Sequence, residues 1–357
     1  MTAVLHKPIP GGRGYSDRWL SRFAWSTAIA TLFLICSGGM VTSKGVGLAV
    51  PDWPTTFGYN MFLFPVSKWV GGVLFEHTHR LIASIVGFLT IVLAIWLWRS
   101  EERRWLRRLG SVALAAVVLQ GVLGGLRVTL LKDEIGVFHA CVAHAFLGLL
   151  VIIALSLSPV WQRLARMRIS AEGATTILRA TLITTAFIYL QLILGATMRH
   201  QHRDLSILDF PLAYGQVIPE TSPQQIARIN AWRDTHALSD VTPSQIWLQM
   251  AHRAGAVIVA VGVFATLTIA MRRGPELPVA LTRAAAAWFC LVCAQVVLGA
   301  WTIWSNKAAD IATAHVAVGA VLFAFGVGIC AMSLRLRNAF PQNRDTAISA
   351  FESLAAK

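Results

Sequence analysis

The chain has 357 residues, 56% of them hydrophobic and 13% charged, with a formal net charge of +14 at pH 7. Soluble domains carry about 25% charged residues, so the composition excludes an ordinary soluble enzyme and predicts a polytopic membrane protein. The basic excess does not indicate a nucleic-acid partner: the arginines gather in alternate connections, where the positive-inside rule puts them, and such a face also attracts anionic membrane lipid.

A membrane span needs about 20 mostly apolar residues. Eight such runs occur, at 19–41, 72–98, 108–128, 138–160, 177–198, 246–271, 282–303 and 309–334. Lys7, Arg13, Arg18 and Arg22 surround the start of the first. Arg99, Arg103, Arg104, Arg107 and Arg108 fill the second connection, Arg163, Arg166 and Arg168 the fourth, and Arg272, Arg273 and Arg283 the sixth. Arg335, Arg337 and Arg344 follow the last. These segments are expected on the cytoplasmic side, so both termini are cytoplasmic. All five cysteines (Cys36, Cys141, Cys290, Cys293 and Cys330) fall within the spans, and no disulfide framework is expected. Cys290 and Cys293 form a CxxC without a second pair, a poor basis for zinc. The N-terminal segment lacks a cleavable signal pattern, and a bacterial cytoplasmic (inner) membrane is the simplest address.

The two halves of the chain repeat. Ser37-Gly38-Gly39 ends the first span and Leu194-Gly195-Ala196 lies near the end of the fifth. At the same spacing, Asp52-Trp53-Pro54-Thr55-Thr56-Phe57-Gly58 is matched by Asp209-Phe210-Pro211-Leu212-Ala213-Tyr214-Gly215. Gln120-Gly121-Val122-Leu123-Gly124 matches Gln295-Val296-Val297-Leu298-Gly299, and Ala143-His144 with Gly148 matches Ala314-His315 with Gly319. The expected fold is therefore an all-α integral membrane protein, with eight transmembrane helices arranged as two repeated four-helix bundles. The first half covers 19–165 and the second 166–335, with cytoplasmic tails at 1–18 and 336–357. Four helices per unit is an even number, so both halves insert in one orientation, related by a pseudo-twofold along the membrane normal.

The chemistry concentrates where the even-numbered spans begin, on the expected outer side. Phe75-Glu76-His77-Thr78-His79-Arg80 opens the second span and Met250-Ala251-His252-Arg253 the sixth; His144 and His315 lie near the starts of the fourth and eighth. Ionisable groups inside a membrane are costly and need partners. Two histidines on neighbouring helices at one depth can ligate a haem iron from both sides, and a four-helix bundle has room for the macrocycle. The expected pairs are His79 with His144 and His252 with His315. Arg80 and Arg253 each follow a ligand candidate and can pair with haem propionates. Glu76 breaks the symmetry, since its counterpart is the neutral Gln249. A carboxylate in one half only points to chemistry there and to a held cofactor in the other. His77 and His139 have no counterpart among the second-half ligands and are expected to be interfacial. His139 is five residues before His144 and points elsewhere. His200, His202 and His236 are expected in a solvated outer loop. Trp53, Phe57, Tyr59, Phe62, Phe64 and Trp69 crowd the first outer loop, as an interfacial belt or as a lid.

In combination, Glu76-x-x-His79-Arg80, His252-Arg253, the histidines of the fourth and eighth spans and the Gly47-to-Pro54 loop resemble the haem A synthase family over about residues 19–335. Many bacterial members carry a cysteine pair in an outer loop. This chain has none and resembles a cysteine-less branch, which puts a thiol-linked electron route in doubt. The resemblance implies oxidation of a ring methyl of haem O to the formyl of haem A. It implies haem O as substrate in the first half (His79, His144), haem b as cofactor in the second (His252, His315), and sites near the outer face. With both first-half histidines on the substrate iron, water becomes the expected oxygen source and Glu76 the catalytic group. Implied partners are the haem O synthase supplying the substrate and an unidentified electron acceptor; a homo-oligomer is allowed. Two other classes fit the residues alone: a bis-histidine haem b electron carrier or quinone oxidoreductase, and a haem transporter or insertion factor without chemistry.

Overall fold

The computed structural model describes residues 18–167, 171–201, 205–273 and 277–338. Ten α-helices are found among them: α1 Arg18–Ser43, α2 Gly71–Ser100, α3 Arg104–Leu130, α4 Asp133–Ser156, α5 Pro159–Arg166, α6 Ala171–His200, α7 Pro223–Thr235, α8 Pro243–Arg272, α9 Val279–Trp304 and α10 Ala309–Asn338. All but the short α5 and α7 are long and apolar enough to cross a membrane. Together they make this a multi-pass, all-helical membrane protein.

The helix ends follow local chemistry. Ser158 caps α5 by accepting from the Trp161 N–H, with Pro159 in the first turn. Ser222 and Pro223 start α7 in the same way. At α8 the Gln245 side chain turns back to accept from the Thr242 N–H at 2.9 Å. In each case a side chain satisfies an end group the helix leaves open. Seven of the eight expected spans agree with their helices to within a few residues at most ends. The fourth is displaced: expected at 138–160, it runs Asp133–Ser156. Asp133 and Glu134 occupy its first turn, where carboxylates favour the positive helix end, and Ser158-Pro159 starts a separate helix.

The spanning helices close into two rings of four. α1 packs on α2, α2 on α3, α3 on α4, and α4 returns to α1; α6, α8, α9 and α10 do the same. The rings meet through α1 against α10, α4 against α6, and α4 against α10. This pattern maps onto itself if each helix is exchanged for its counterpart in the other ring. Burial follows from it. In their most apolar windows α10 and α4 are 56% and 44% buried, whereas α3 and α9 are both 17% buried. The outer helices turn residues such as Val112, Val118, Val297 and Trp301 outward, as lipid contact requires. Hydroxyls inside the spans close on their own helix, as Thr90 does on the Val86 carbonyl at 2.8 Å and Thr181 on Ile177 at 2.7 Å. The tails fall largely outside the described residues, as do Lys7, Arg13, Arg168 and Arg344.

Candidate functional site

The candidate side chains except the deeper His144 lie toward the end of the bundle where α2, α4, α8 and α10 begin. Glu76, on α2, is 4% exposed. Its Oε2 accepts from the Val50 N–H at 2.9 Å and its Oε1 from Arg80 Nη2 at 2.8 Å. Arg80 spends its other terminal donors on the loop between α1 and α2: Nη1 donates to the Asp52 and Thr55 carbonyls at 2.6 and 3.0 Å, and Nη2 also donates to the Val50 carbonyl at 2.9 Å. All four terminal N–H groups are thereby occupied. Arg80 is a clamp for the loop, and the propionate role expected of it has no free fork to rest on. His77 is fully buried. Its Nδ1 lies 3.3 Å from the Thr56 hydroxyl, and its ring packs against Trp69 and Phe64 with centroids 4.7 and 5.1 Å away. Within the loop, Asp52 accepts from the Phe57 and Gly58 N–H groups at 2.7 and 2.9 Å and from the Thr55 hydroxyl. Burial acts to raise the Asp52 carboxyl, but these hydrogen bonds outweigh it and hold the group below the usual carboxylate range.

The second ring repeats this clamp with one change of charge. Arg253 Nη1 donates to the Leu212 carbonyl at 2.8 Å and Nη2 to the Asp209 carbonyl at 2.6 Å, with its guanidinium 5.5 Å from the Phe210 ring centroid. Asp209 accepts from the Tyr214 and Gly215 N–H groups at 2.8 and 2.9 Å. Where Glu76 stands in the first ring, Gln249 pairs with both sides of one peptide, accepting from the Ile207 N–H at 2.7 Å and donating to the Ile207 carbonyl at 3.1 Å. The neutral amide does alone what Glu76 and Arg80 do together at Val50.

Four histidines stand opposite four glycines of neighbouring helices. A Cβ added at Gly38 would lie 2.9 Å from the His79 ring, at Gly195 3.1 Å from His252, at Gly124 3.4 Å from His139, and at Gly299 3.1 Å from His315. At Gly38 a Cβ would clash outright, and at Gly195 and Gly299 it would be tighter than ordinary packing. Within each ring of helices the two imidazoles, His79 with His139 and His252 with His315, are near enough to interact electrostatically. All four are half-buried, and the Nδ1 of each is sealed without a hydrogen-bond partner. Gln120 and Gln191 donate to the His139 and His252 carbonyls at 3.0 and 2.7 Å.

His144 is not the partner of His79. It is 6% exposed, its Nδ1 is tied to the Ala140 carbonyl at 2.7 Å and its Nε2 is sealed. The displaced start of α4 is the reason. His139 is the seventh residue of a helix that begins at Asp133, and His315 is the seventh of one that begins at Ala309. His139 therefore shares the depth of His315, and His144 lies more than a turn deeper. His200 also departs from expectation: it closes α6, is 9% exposed and packs against Gly136 of α4. His236 is exposed and stacks on Trp232 with centroids 4.1 Å apart; His202 lies outside the described residues. A connection the sequence did not suggest is Arg199 of α6, which donates to the Gly39 carbonyl and the Ser43 hydroxyl of α1 and to the Ala312 carbonyl of α10 at 3.3 Å.

A model of the cytochrome oxidase assembly protein family (COX15-CtaA) matches residues 21–327. Among curated proteins, the haem A synthase of Geobacillus kaustophilus (strain HTA426) is 25% identical over 340 residues, covering 90% of this chain and 94% of the relative. That of Shouchella clausii (strain KSM-K16) is 28% identical over 271 residues, covering 74% and 87%. That of Halalkalibacterium halodurans is 29% identical over 215 residues, covering 57% and 67%. Taken with the paired histidines and the lone carboxylate, these matches lead to one conclusion: the chain belongs to the haem A synthase family of cytochrome oxidase assembly proteins.

Proposed function

We propose that the protein is a haem A synthase, an oxidoreductase that converts a ring methyl of haem O to the formyl group of haem A. The observation that carries this reading is the pairing of two like histidine sites with unlike neighbours: Glu76 beside one and Gln249 beside the other. A pure electron carrier or transporter has no use for that difference.

The residues fit two haems. In each ring a pair of half-buried imidazoles on facing helices is set against bare glycine backbone, with no protein donor or acceptor on the sealed Nδ1 atoms. His79 and His139 hold the substrate iron in the first ring. His252 and His315 hold haem b in the second, where it supplies one-electron transfer toward an acceptor outside the chain. Gln120 and Gln191, bonded to the backbone of His139 and His252, fix the helix positions behind the ligands.

If His79 and His139 both hold the substrate iron, no place remains there for dioxygen, and water would supply the oxygen. The methyl carbon is oxidised by two electrons as it gains a hydroxyl from water and two protons leave; a second such step gives the gem-diol, which loses water to the aldehyde. Four electrons and four protons depart in all. Glu76 is the group placed to take these protons and to stabilise positive charge at the methyl carbon. Each of its oxygens accepts one hydrogen bond and retains further acceptor capacity. Its pairing with Arg80 holds the carboxylate in place.

The basic connections lie at the opposite end from the histidines, so the positive-inside rule puts both haem sites near the outer face of a bacterial cytoplasmic membrane, with both termini inside. Haem O reaches the first ring from the haem O synthase. The experiment is co-expression with a haem O source and chromatography of the extracted haems. Haem A with residual haem O is expected; haem b alone would leave an electron carrier.

A further inference from the structure

Arg127 lies three residues beyond Gly124 on α3 and so shares its helix face; Gly124 is the glycine that meets His139. The guanidinium crosses two more bare stretches of backbone. A Cβ added at Gly47 in the first loop would stand 2.7 Å from Nη1, and one at Gly136 in the first turn of α4 would stand 3.1 Å from Nε. The charge acts through space on both His79 and His139.

The Arg127 side chain is half-buried and has neither an ion pair nor a hydrogen bond among the described residues; the three ion pairs there are Glu76–Arg80, Glu101–Arg103 and Glu172–Arg273. Glu76 and Asp133 act on it only from longer range, and Glu76 is already held by Arg80 and Val50. A cation in a spanning helix without a contacting partner is costly, and five donors in a planar fork suit a carboxylate. In the second ring the arginine whose charge reaches a histidine, Arg199 near His315, is spent on the Gly39 and Ala312 carbonyls and the Ser43 hydroxyl, and the position equivalent to Arg127 is not basic. Thr302 stands three residues beyond Gly299, and its hydroxyl closes on the Leu298 carbonyl at 2.8 Å.

We infer that Arg127 binds a carboxylate of the first-ring ligand, a propionate at the edge of the substrate porphyrin. Arg80 is committed to the loop, so Arg127 is the guanidinium with donors to offer. This rests on the assignment of haem O to the first ring. Arg127 sets which end of the porphyrin faces α3 and therefore which methyl can meet Glu76. It is specific to the substrate site because the equivalent position in the cofactor site is Thr302.

The test is optical titration of the purified full-length protein, with haem b retained in the second ring. The probes are haem O and its propionate diester, added to wild type and to Arg127→Ala. One lost charge-assisted pair corresponds to about a 10- to 100-fold change in affinity. Wild type is expected to prefer the diacid by about that factor. Arg127→Ala should bind the diacid as weakly as the diester, with diester binding and the haem b spectrum unchanged. If Arg127→Ala does not retain haem b, Arg127→Lys carries the same comparison and should show a reduced preference for the diacid. Wild-type discrimination in the variant, or equal weakening of diacid and diester, would overturn the inference. Titrations in which His79→Ala abolishes no spectral change would overturn the substrate assignment, and this inference with it.

Discussion

The two histidine sites share a frame and differ in charge. In both, an arginine one residue past the histidine holds a loop through two carbonyls, and an aspartate in that loop accepts from two backbone N–H groups. In both, a glycine lets each imidazole lie against the helix. At the Val50 and Ile207 peptides the sites part: one uses the Glu76–Arg80 ion pair, the other the neutral Gln249. The amide shows that the fold does not need a carboxylate there. On the proposed reading Glu76 does more than hold the loop, and its cost in a buried place is met by Arg80.

The largest effect separates the two sites outright. His252→Ala or His315→Ala should lose the tightly held haem b, because each would supply one of the two groups that hold it. Spectra of the purified variants decide it, and an unchanged haem b signal in both would defeat the cofactor assignment. Next comes the choice within α4. His139→Ala should abolish binding of added haem O, whereas His144→Ala should bind it nearly as wild type does. The opposite ranking would restore His144 as the ligand. The smallest effect concerns the frame. The lowered Asp52 carboxyl stabilises the loop above the ordinary aspartate value of about 3.9, and that contribution fades as pH falls through the still lower folded value. Asp52→Asn should therefore make the loop more sensitive to protease near neutral pH, with haem b retained. Equal cleavage of wild type and variant would show that the turn does not depend on the charge.

Much of this could be read from the sequence, because eight apolar runs and a repeated His-Arg are strong periodic signals. The errors share a cause. Placing the start of the fourth span at its first long apolar stretch ignored Asp133 and Glu134, which start the helix earlier. That shift of about a turn exchanged His139 for His144. The commitment of Arg80 to the loop is hidden from the sequence, because backbone carbonyls leave no trace in a side-chain pattern. His200 is hidden as a helix residue because α6 extends past its apolar window to the histidine itself. Arg127 carried a usable signal, three residues after a repeated glycine where the other half has Thr302, but a single arginine inside an apolar helix has no repeat to point to it. The Glu76/Gln249 difference was visible from the start, since it needed only the alignment of the two His-Arg pairs.

The most direct test makes the first site chemically like the second at that one position. Glu76→Gln keeps size and hydrogen-bonding capacity and removes the charge. If the charge stabilises the developing cation and takes up protons, its loss costs on the order of 2.7–4 kcal/mol, roughly a hundred- to thousandfold in rate. The measurement is haem O, its alcohol and haem A extracted from membranes holding equal amounts of wild-type and variant protein. The account predicts retained haem b, accumulated haem O or alcohol, and very little haem A. Near-normal haem A from Glu76→Gln would contradict it and reduce Glu76 to the partner of Arg80.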